Sequence, residues 1–218
     1  MTAAIATHGA TLAPLMRKAG FLYVFLGIEN VLEDDLSFLK ATAKNSRKQE
    51  NTTLAAVDVL HEHGLLVVGG LIVGNPDDTR SSIETNLEFA KKYVDWPYIQ
   101  HPTPYPGTPM TRDFRERGLI VNQRVEEYDG TSAVTRSAHL EAEEIEFMRW
   151  KAERWMKVRH IPTVFRHDPW FVLRHGLAML LHTFAGTTAR SILGLEDPRA
   201  VFNRFRERRA RARDTLVA

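Results

Sequence analysis

The chain has 218 residues, 44% of them hydrophobic, enough for one domain of ordinary size or one domain with an appended tail. It contains no cysteine, which excludes disulfides and any thiolate-held metal or iron–sulfur cluster on this chain alone. The net charge of +2 is unevenly spread: from Arg199 to Arg213 seven Arg stand against one acid, Glu207, a local +6 that leaves −4 for the rest.

The first sixteen residues, MTAAIATHGATLAPLM, lack a basic segment followed by an apolar core, so they do not read as a secretory signal. No run of about 18 uncharged apolar residues occurs, so no clear membrane span is expected. A cytoplasmic location is the expectation. In chain order, Leu12, Leu15, Met16 and Ala19 follow helical spacing, and Gly20 is a stop. Phe21 to Ile28, FLYVFLGI, is a continuous apolar run and predicts a strand buried on both faces, as in a parallel sheet. A helix is predicted around Asp34 to Lys44. Another starts at Thr52 or Thr53, turns Leu54, Val57 and Leu60 or His61 inward, and ends at Gly64.

LLVVGGLIVG, ending at Gly74, is the next predicted buried strand. Ser81 or Ser82 opens a helix with Ile83, Leu87, Ala90 and Val94 on one face. PYIQHPTP is a shorter strand, YPGTP a proline-rich turn, and Met110 to Arg117 a short helix ending at Gly118. Strands alternate with helices up to this point, which predicts βαβ units and a parallel sheet. After Val125 the pattern turns helical. Glu141 to Arg159 places Ile145, Met148, Ala152 and Trp155 along one face. Asp168-Pro169 and Asp197-Pro198 each put a capping Asp before a Pro at the first helical position. The predicted organisation is an α/β part over 1–125 and a helical extension with a basic end over 126–218.

In a parallel sheet, ligands sit at the C-terminal ends of the strands. Those ends are GIEN, VGNPDD and TPYPGTP, and none reads as a plain loop. The middle one is the most unusual, because Gly69, Gly70 and Gly74 interrupt a strand that stability alone would fill with side chains. Glycines there suggest that something comes close to the backbone. His61 and His63 lie two apart on a helix and face nearly opposite sides, so they cannot share a metal ion.

The three strand-end motifs, in this order, resemble the C-terminal half of a radical S-adenosylmethionine barrel. LGIEN is similar to the end of that family's fourth strand, where a polar residue, here Glu29, meets the cofactor's ribose. Gly70 to Asp77, GLIVGNPD, resembles the family's G-x-I-x-G-x-x-E motif, which implies Ile72 against the adenine and Gly70 or Gly74 beside it. Asp77 stands where Glu is usual. Thr103 to Pro109, TPYPGTP, with Pro104 and Tyr105, resembles the sixth-strand end of cobalamin-dependent members. The tail segments YDGTSAVTR and ERWMKVRH are similar to the group around anaerobic magnesium-protoporphyrin ester cyclase and the hopanoid methylases.

The resemblance implies a partial (β/α) TIM-like barrel that supplies part of the S-adenosylmethionine pocket and the substrate-facing loops. It implies a 4Fe-4S cluster and cobalamin only in an intact enzyme performing radical methylation or oxidative cyclisation, because this chain has no Cys for the cluster. On this reading Ala3 to Ala6 is the remnant of a third strand, and a missing N-terminal half-barrel, in the same or a separate chain, is the expected partner. Each site residue has a plainer alternative. Glu29 can cap the next helix, Ile72 can be core, Asp77 with Asp78 can cap the following helix, and Tyr105 can pack in its turn. A non-catalytic nucleotide- or partner-binding module is the alternative for the whole chain. The arginine run reads as a solvated face or as a contact for an anionic membrane surface, which would place the protein peripherally on the inner membrane face. Nucleic acid is not expected as a partner.

Overall fold

The computed structural model describes residues 2–32, 49–183, 189–192 and 194–217. The chain divides into two compact units, Met1–Met156 and Lys157–Ala218. The predicted helix around Asp34 to Lys44 lies outside the described residues.

The first unit is α/β. It runs α1 (Thr2–Lys18), β1 (Tyr23–Glu29), α2 (Gln49–Glu62), β2 (Leu66–Ile72), α3 (Arg80–Tyr93), β3 (Trp96–Gln100), α4 (Pro109–Glu116) and most of α5 (Ala142–His167). The three strands form a parallel sheet in the order β1-β2-β3. Sequence neighbours are therefore spatial neighbours, and all three C-terminal ends emerge at one edge. The segment Ala3 to Ala6, expected as a strand remnant, is instead part of α1. Small apolar residues such as Ala favour a helix once a partner covers them, and α1 packs on α2.

One face of the sheet is buried. Val24, Leu26 and Ile28 of β1, Val67 and Leu71 of β2, and Ile99 of β3 join Val57, Leu60, Ile83 and Leu87 from the helices. Each such side chain contributes about 1.5–3 kcal/mol by leaving water. The other face departs from the expectation of burial on both sides. Phe25 is 47% exposed and Tyr98 49% exposed. Their rings meet edge to face at 5.5 Å, over a row in which Gly27, Gly70 and Tyr98 are cross-strand partners. Among the described residues, no strand pairs with the outer edge of β1 or of β3.

In α5 the inward stripe is Ile145, Met148, Arg149, Ala152 and Met156, whereas Trp155 is exposed. The expected Trp155 lies one position off a stripe of period 3.6, and its ring instead receives the Lys91 ammonium at 5.8 Å. The second unit is helical: the end of α5, α6 (Pro169–Thr183), α7 (Ala189–Ile192) and α8 (Pro198–Val217). The two Asp-Pro starts cap as predicted. Asp168 Oδ1 accepts from the Phe171 N–H at 2.9 Å, and Asp197 accepts from the N–H groups of Arg199 and Ala200.

Candidate functional site

The C-terminal edge of the sheet gathers the three motifs singled out in the sequence. At the end of β1 the register slips between Gly27 and Glu29, a bulge of the kind that re-aims a side chain. Glu29 has φ +67, the one positive value outside glycine among the described residues. A left-handed conformation costs a residue with a Cβ about 1–2 kcal/mol. The surroundings hold it there. Asn30, buried next to it, donates from Nδ2 to the Ile72 carbonyl at 3.3 Å. Its Oδ1 accepts from the Leu32 N–H at 2.8 Å, and the Val31 N–H donates to the buried Asn86. The ends of β1 and β2 are thus tied together, with the half-exposed Glu29 and Ile72 on adjacent strands.

The β2 end is a rigid turn. Gly74 has φ +96, and a Cβ there would lie 2.9 Å from Ile145 Cγ2 of α5. The buried Asp78 organises the turn: its Oδ2 accepts from the N–H groups of Gly74 at 2.7 Å and Asn75 at 2.8 Å, and its Oδ1 from Ser82 Oγ at 2.5 Å. Ser137 Oγ donates to its carbonyl at 2.7 Å. Helix α3 is capped by Thr79 with Ser82 in a reciprocal capping box, not by Asp77 as the sequence suggested. Asp77 is exposed and forms a two-pronged ion pair with Arg117, at 2.5 and 3.2 Å. The hydrogen bond from Arg117 holds the Asp77 carboxyl below the usual carboxylate value. It is engaged at the surface.

The glycines of β2 have packing explanations. A Cβ on Gly70 would meet Phe25 Cζ at 2.6 Å, and one on Gly69 would meet Val94 Cγ2 at 2.5 Å. The close approach that the sequence pointed to is real, but the groups that approach are the chain's own side chains.

At the end of β3, Gln100 is the cross-strand partner of Ile72, and its Nε2 donates to the Tyr98 hydroxyl at 3.1 Å. The buried His101 places Nδ1 3.1 Å from the Val73 carbonyl. In the turn that follows, Pro104 is buried, while the exposed Tyr105 donates its hydroxyl to the Tyr128 carbonyl at 3.0 Å. Tyr105 therefore braces the turn against the 122–130 segment. Its carbonyl accepts from Thr108, the cap of α4.

Sequence reasoning missed Arg149. It is buried in α5 and donates from Nε to the Ile99 carbonyl at 2.6 Å, from a terminal nitrogen to the Thr131 carbonyl at 2.6 Å, and to Glu153 at 3.0 Å. Its position one turn after Ile145 on an apolar stripe was the available signal. It fixes the end of β3 to the loop beyond it.

The edge thus offers a carboxylate, a primary amide, an apolar side chain and a locked turn around a half-open aromatic face. Glu29 is an acceptor suited to ribose hydroxyls, and Ile72 is an aliphatic contact suited to the face of a purine. Their chemistry is compatible with part of an S-adenosylmethionine site. The chain does not fit an iron–sulfur cluster: it has no Cys, and no group of three His, Asp or Glu among the described residues can hold a metal.

No protein-family model matches the sequence. Similarity to known proteins points one way. The chain is 28% identical over 182 residues to an uncharacterized methyltransferase of Pyrococcus horikoshii, a match covering 82% of this chain and 38% of that protein. It is 29% identical over 124 residues to the bacteriochlorophyllide d C-8(2)-methyltransferase of Chlorobaculum tepidum, covering 56% of this chain and 27% of the relative. It is 29% identical over 106 residues to the C-12(1)-methyltransferase for the same pigment and organism, covering 48% and 22%. All three relatives are methyltransferases by name. The matches span well under half the length of each relative.

Proposed function

We propose that this chain contributes the adenosyl-binding strand ends and the substrate-facing loops of an S-adenosylmethionine-dependent methyltransferase of the radical, cobalamin-using kind. The observation that carries the proposal is Glu29: a non-glycine residue in a left-handed conformation, on a bulge, paired with Leu71 at the ligand-binding edge of a parallel sheet, one residue before the Asn30 that bonds the Ile72 carbonyl. The order of the three strand-end motifs supports the same reading, and the relatives' names support its methyltransferase part.

When bound, S-adenosylmethionine would supply the transferable methyl group or the adenosyl radical. This chain's part is to hold it. The Glu29 carboxylate accepts from ribose hydroxyls, and Ile72 covers one face of the adenine. Asp78 keeps the turn behind them from moving. Gly70, Gly74 and Pro104 shape the scaffold, Tyr105 braces the last turn, and Asp77 takes no part. On this reading the cluster and cobalamin belong to other segments of the whole enzyme.

The proposal extends to architecture. The Phe25–Tyr98 face and the outer edges of β1 and β3 are the surfaces that further strands of a (β/α) barrel would cover, in the same or a separate chain. Outer edges of β1 and β3 with no neighbouring strand among the described residues, together with exposed aromatic rings, make self-association the expected behaviour of the chain alone. Because the chain has no thiolates for a cluster, its part in this reading is binding alone. That part is shared with the second reading, a nucleotide-binding module without catalysis. Titration of the chain with S-adenosylmethionine tests the site. Turnover restored by adding a cysteine-bearing half-barrel separates the two readings.

A further inference from the structure

The second unit concentrates two features that the proposed adenosyl site does not use. Lys157–Ala218 holds twelve Lys or Arg and five Asp or Glu, a net +7, which leaves −5 for the first unit given the overall +2. The same unit carries large exposed apolar side chains on α6. Trp170 is 79% exposed, Leu173 66% and Leu177 70%. At spacings of three and four they form one stripe of the helix. Arg174, also exposed, lies beside that stripe. On α8, Val201 and Phe202 are buried, while Arg204, Arg208 and Arg211 are exposed along one face.

We infer that the second unit docks on an anionic lipid surface, with the Trp170–Leu173–Leu177 stripe in the headgroup boundary and the arginines on lipid phosphates. Three physical arguments select this occupant. The α6 helix has 15 residues, about 22 Å long at 1.5 Å per residue, short of a hydrocarbon core of about 30 Å. No described helix is long and apolar enough to cross a membrane. An apolar helix of this length lies in the interface plane, and Trp is a side chain suited to that depth. A single apolar contact binds membranes only marginally, and the polybasic helix in the same unit is the second signal that stable attachment takes. Arg174 can extend its stem along the apolar stripe and place its guanidinium at the phosphates. The exposed Trp–Leu–Leu stripe sets the unit apart from a nucleic-acid surface, where arginines suffice and aliphatic side chains gain nothing.

The test is flotation of the full chain with vesicles of phosphatidylcholine alone and with 30% phosphatidylglycerol, at low and high salt. Binding is expected only with the anionic lipid and is expected to weaken with salt. A triple variant, Arg204→Gln with Arg208→Gln and Arg211→Gln, is expected to lose on the order of a hundredfold in partition, from about 1 kcal/mol per Arg. Leu173→Gln with Leu177→Gln is expected to lose binding while retaining the helical signal, since both positions are exposed. Equal recovery with neutral vesicles, no recovery with either, or full binding by either variant overturns the inference. So does preferential binding to a DNA or RNA duplex over the anionic vesicles.

Discussion

Replacing Gly74 by Ala makes the sharpest demand on the described packing. Two separate costs add at this position. The backbone sits at φ +96, and a Cβ in the left-handed region costs about 1–2 kcal/mol. The new methyl would also lie 2.9 Å from Ile145 Cγ2. Ile145 is fully buried, and a β-branched side chain on a helix has one favoured rotamer, so it cannot swing away cheaply. Relief requires α5 to shift, at about 1–3 kcal/mol for overpacking. The Gly64→Ala variant isolates the first cost: Gly64 has φ +70, and its nearest contact is Arg17 Nε at 3.7 Å, ordinary van der Waals distance. The predicted difference between the two variants is therefore about 1–3 kcal/mol. In urea unfolding, with a slope of about 1–3 kcal/mol per molar, that is a midpoint lower by on the order of 1 M for Gly74→Ala. Equal midpoints would show that α5 does not seal the end of β2, and the account of the turn would fail.

Asp78→Ala should cost about 2–4 kcal/mol in the same assay, because two N–H donors of the buried turn lose a charged acceptor; a loss below about 1 kcal/mol would show that the turn holds itself. His61 donates from Nε2 to Asp95 at 2.7 Å, and this hydrogen bond, opposed by burial and aided by the charges of Asp95 and Asp58, raises the His61 pKa above 6.5. Its stabilisation is then fully present below pH 6.5 and fades as pH rises through the raised folded value. The penalty of His61→Ala should shrink over that range in urea melts taken from pH 5 to 9, and a penalty that grows with pH would contradict the pairing.

The sequence made some of this legible. The alternation of strands with helices and the cap-and-stop residues were enough to place β2, α3, β3 and α4, because their apolar periods are unambiguous. Ala3 to Ala6 misled because three Ala around a single Ile fit either period, and only the packing of α1 on α2 decides between them. Trp155 misled because bulk suggests burial, whereas Met156 holds the period and Trp155 faces water. The glycines of β2 and of the turn after it signalled a close approach, and the groups found there, Phe25, Val94 and Ile145, are set by tertiary packing that no local pattern encodes. Glu29 was visible as a strand-end acid, but its left-handed backbone and the tie through Asn30 were not. Arg149 escaped because buried charges are found by what they bond, not by their neighbours in sequence, and Asp78 was legible only as a candidate cap beside Asp77, not as the acceptor that holds the turn.

Binding of S-adenosylmethionine to the full chain, measured by calorimetric titration alongside Glu29→Asn and Asp77→Asn, tests the central claim most directly. Asn tolerates the left-handed region better than Glu does. The Glu29→Asn variant should therefore keep the bulge conformation and stay within about 1 kcal/mol of the parent in urea unfolding. It should also bind the cofactor at least tenfold more weakly, about 1.4 kcal/mol for one charge-assisted hydrogen bond. Asp77→Asn should bind as the parent does, because Asp77 is committed to Arg117. Saturable binding that needs Glu29 and not Asp77, with stability unharmed, is the predicted result. No binding by the parent chain, or binding that Glu29→Asn leaves unchanged, would contradict the assignment of this strand edge to the adenosyl group.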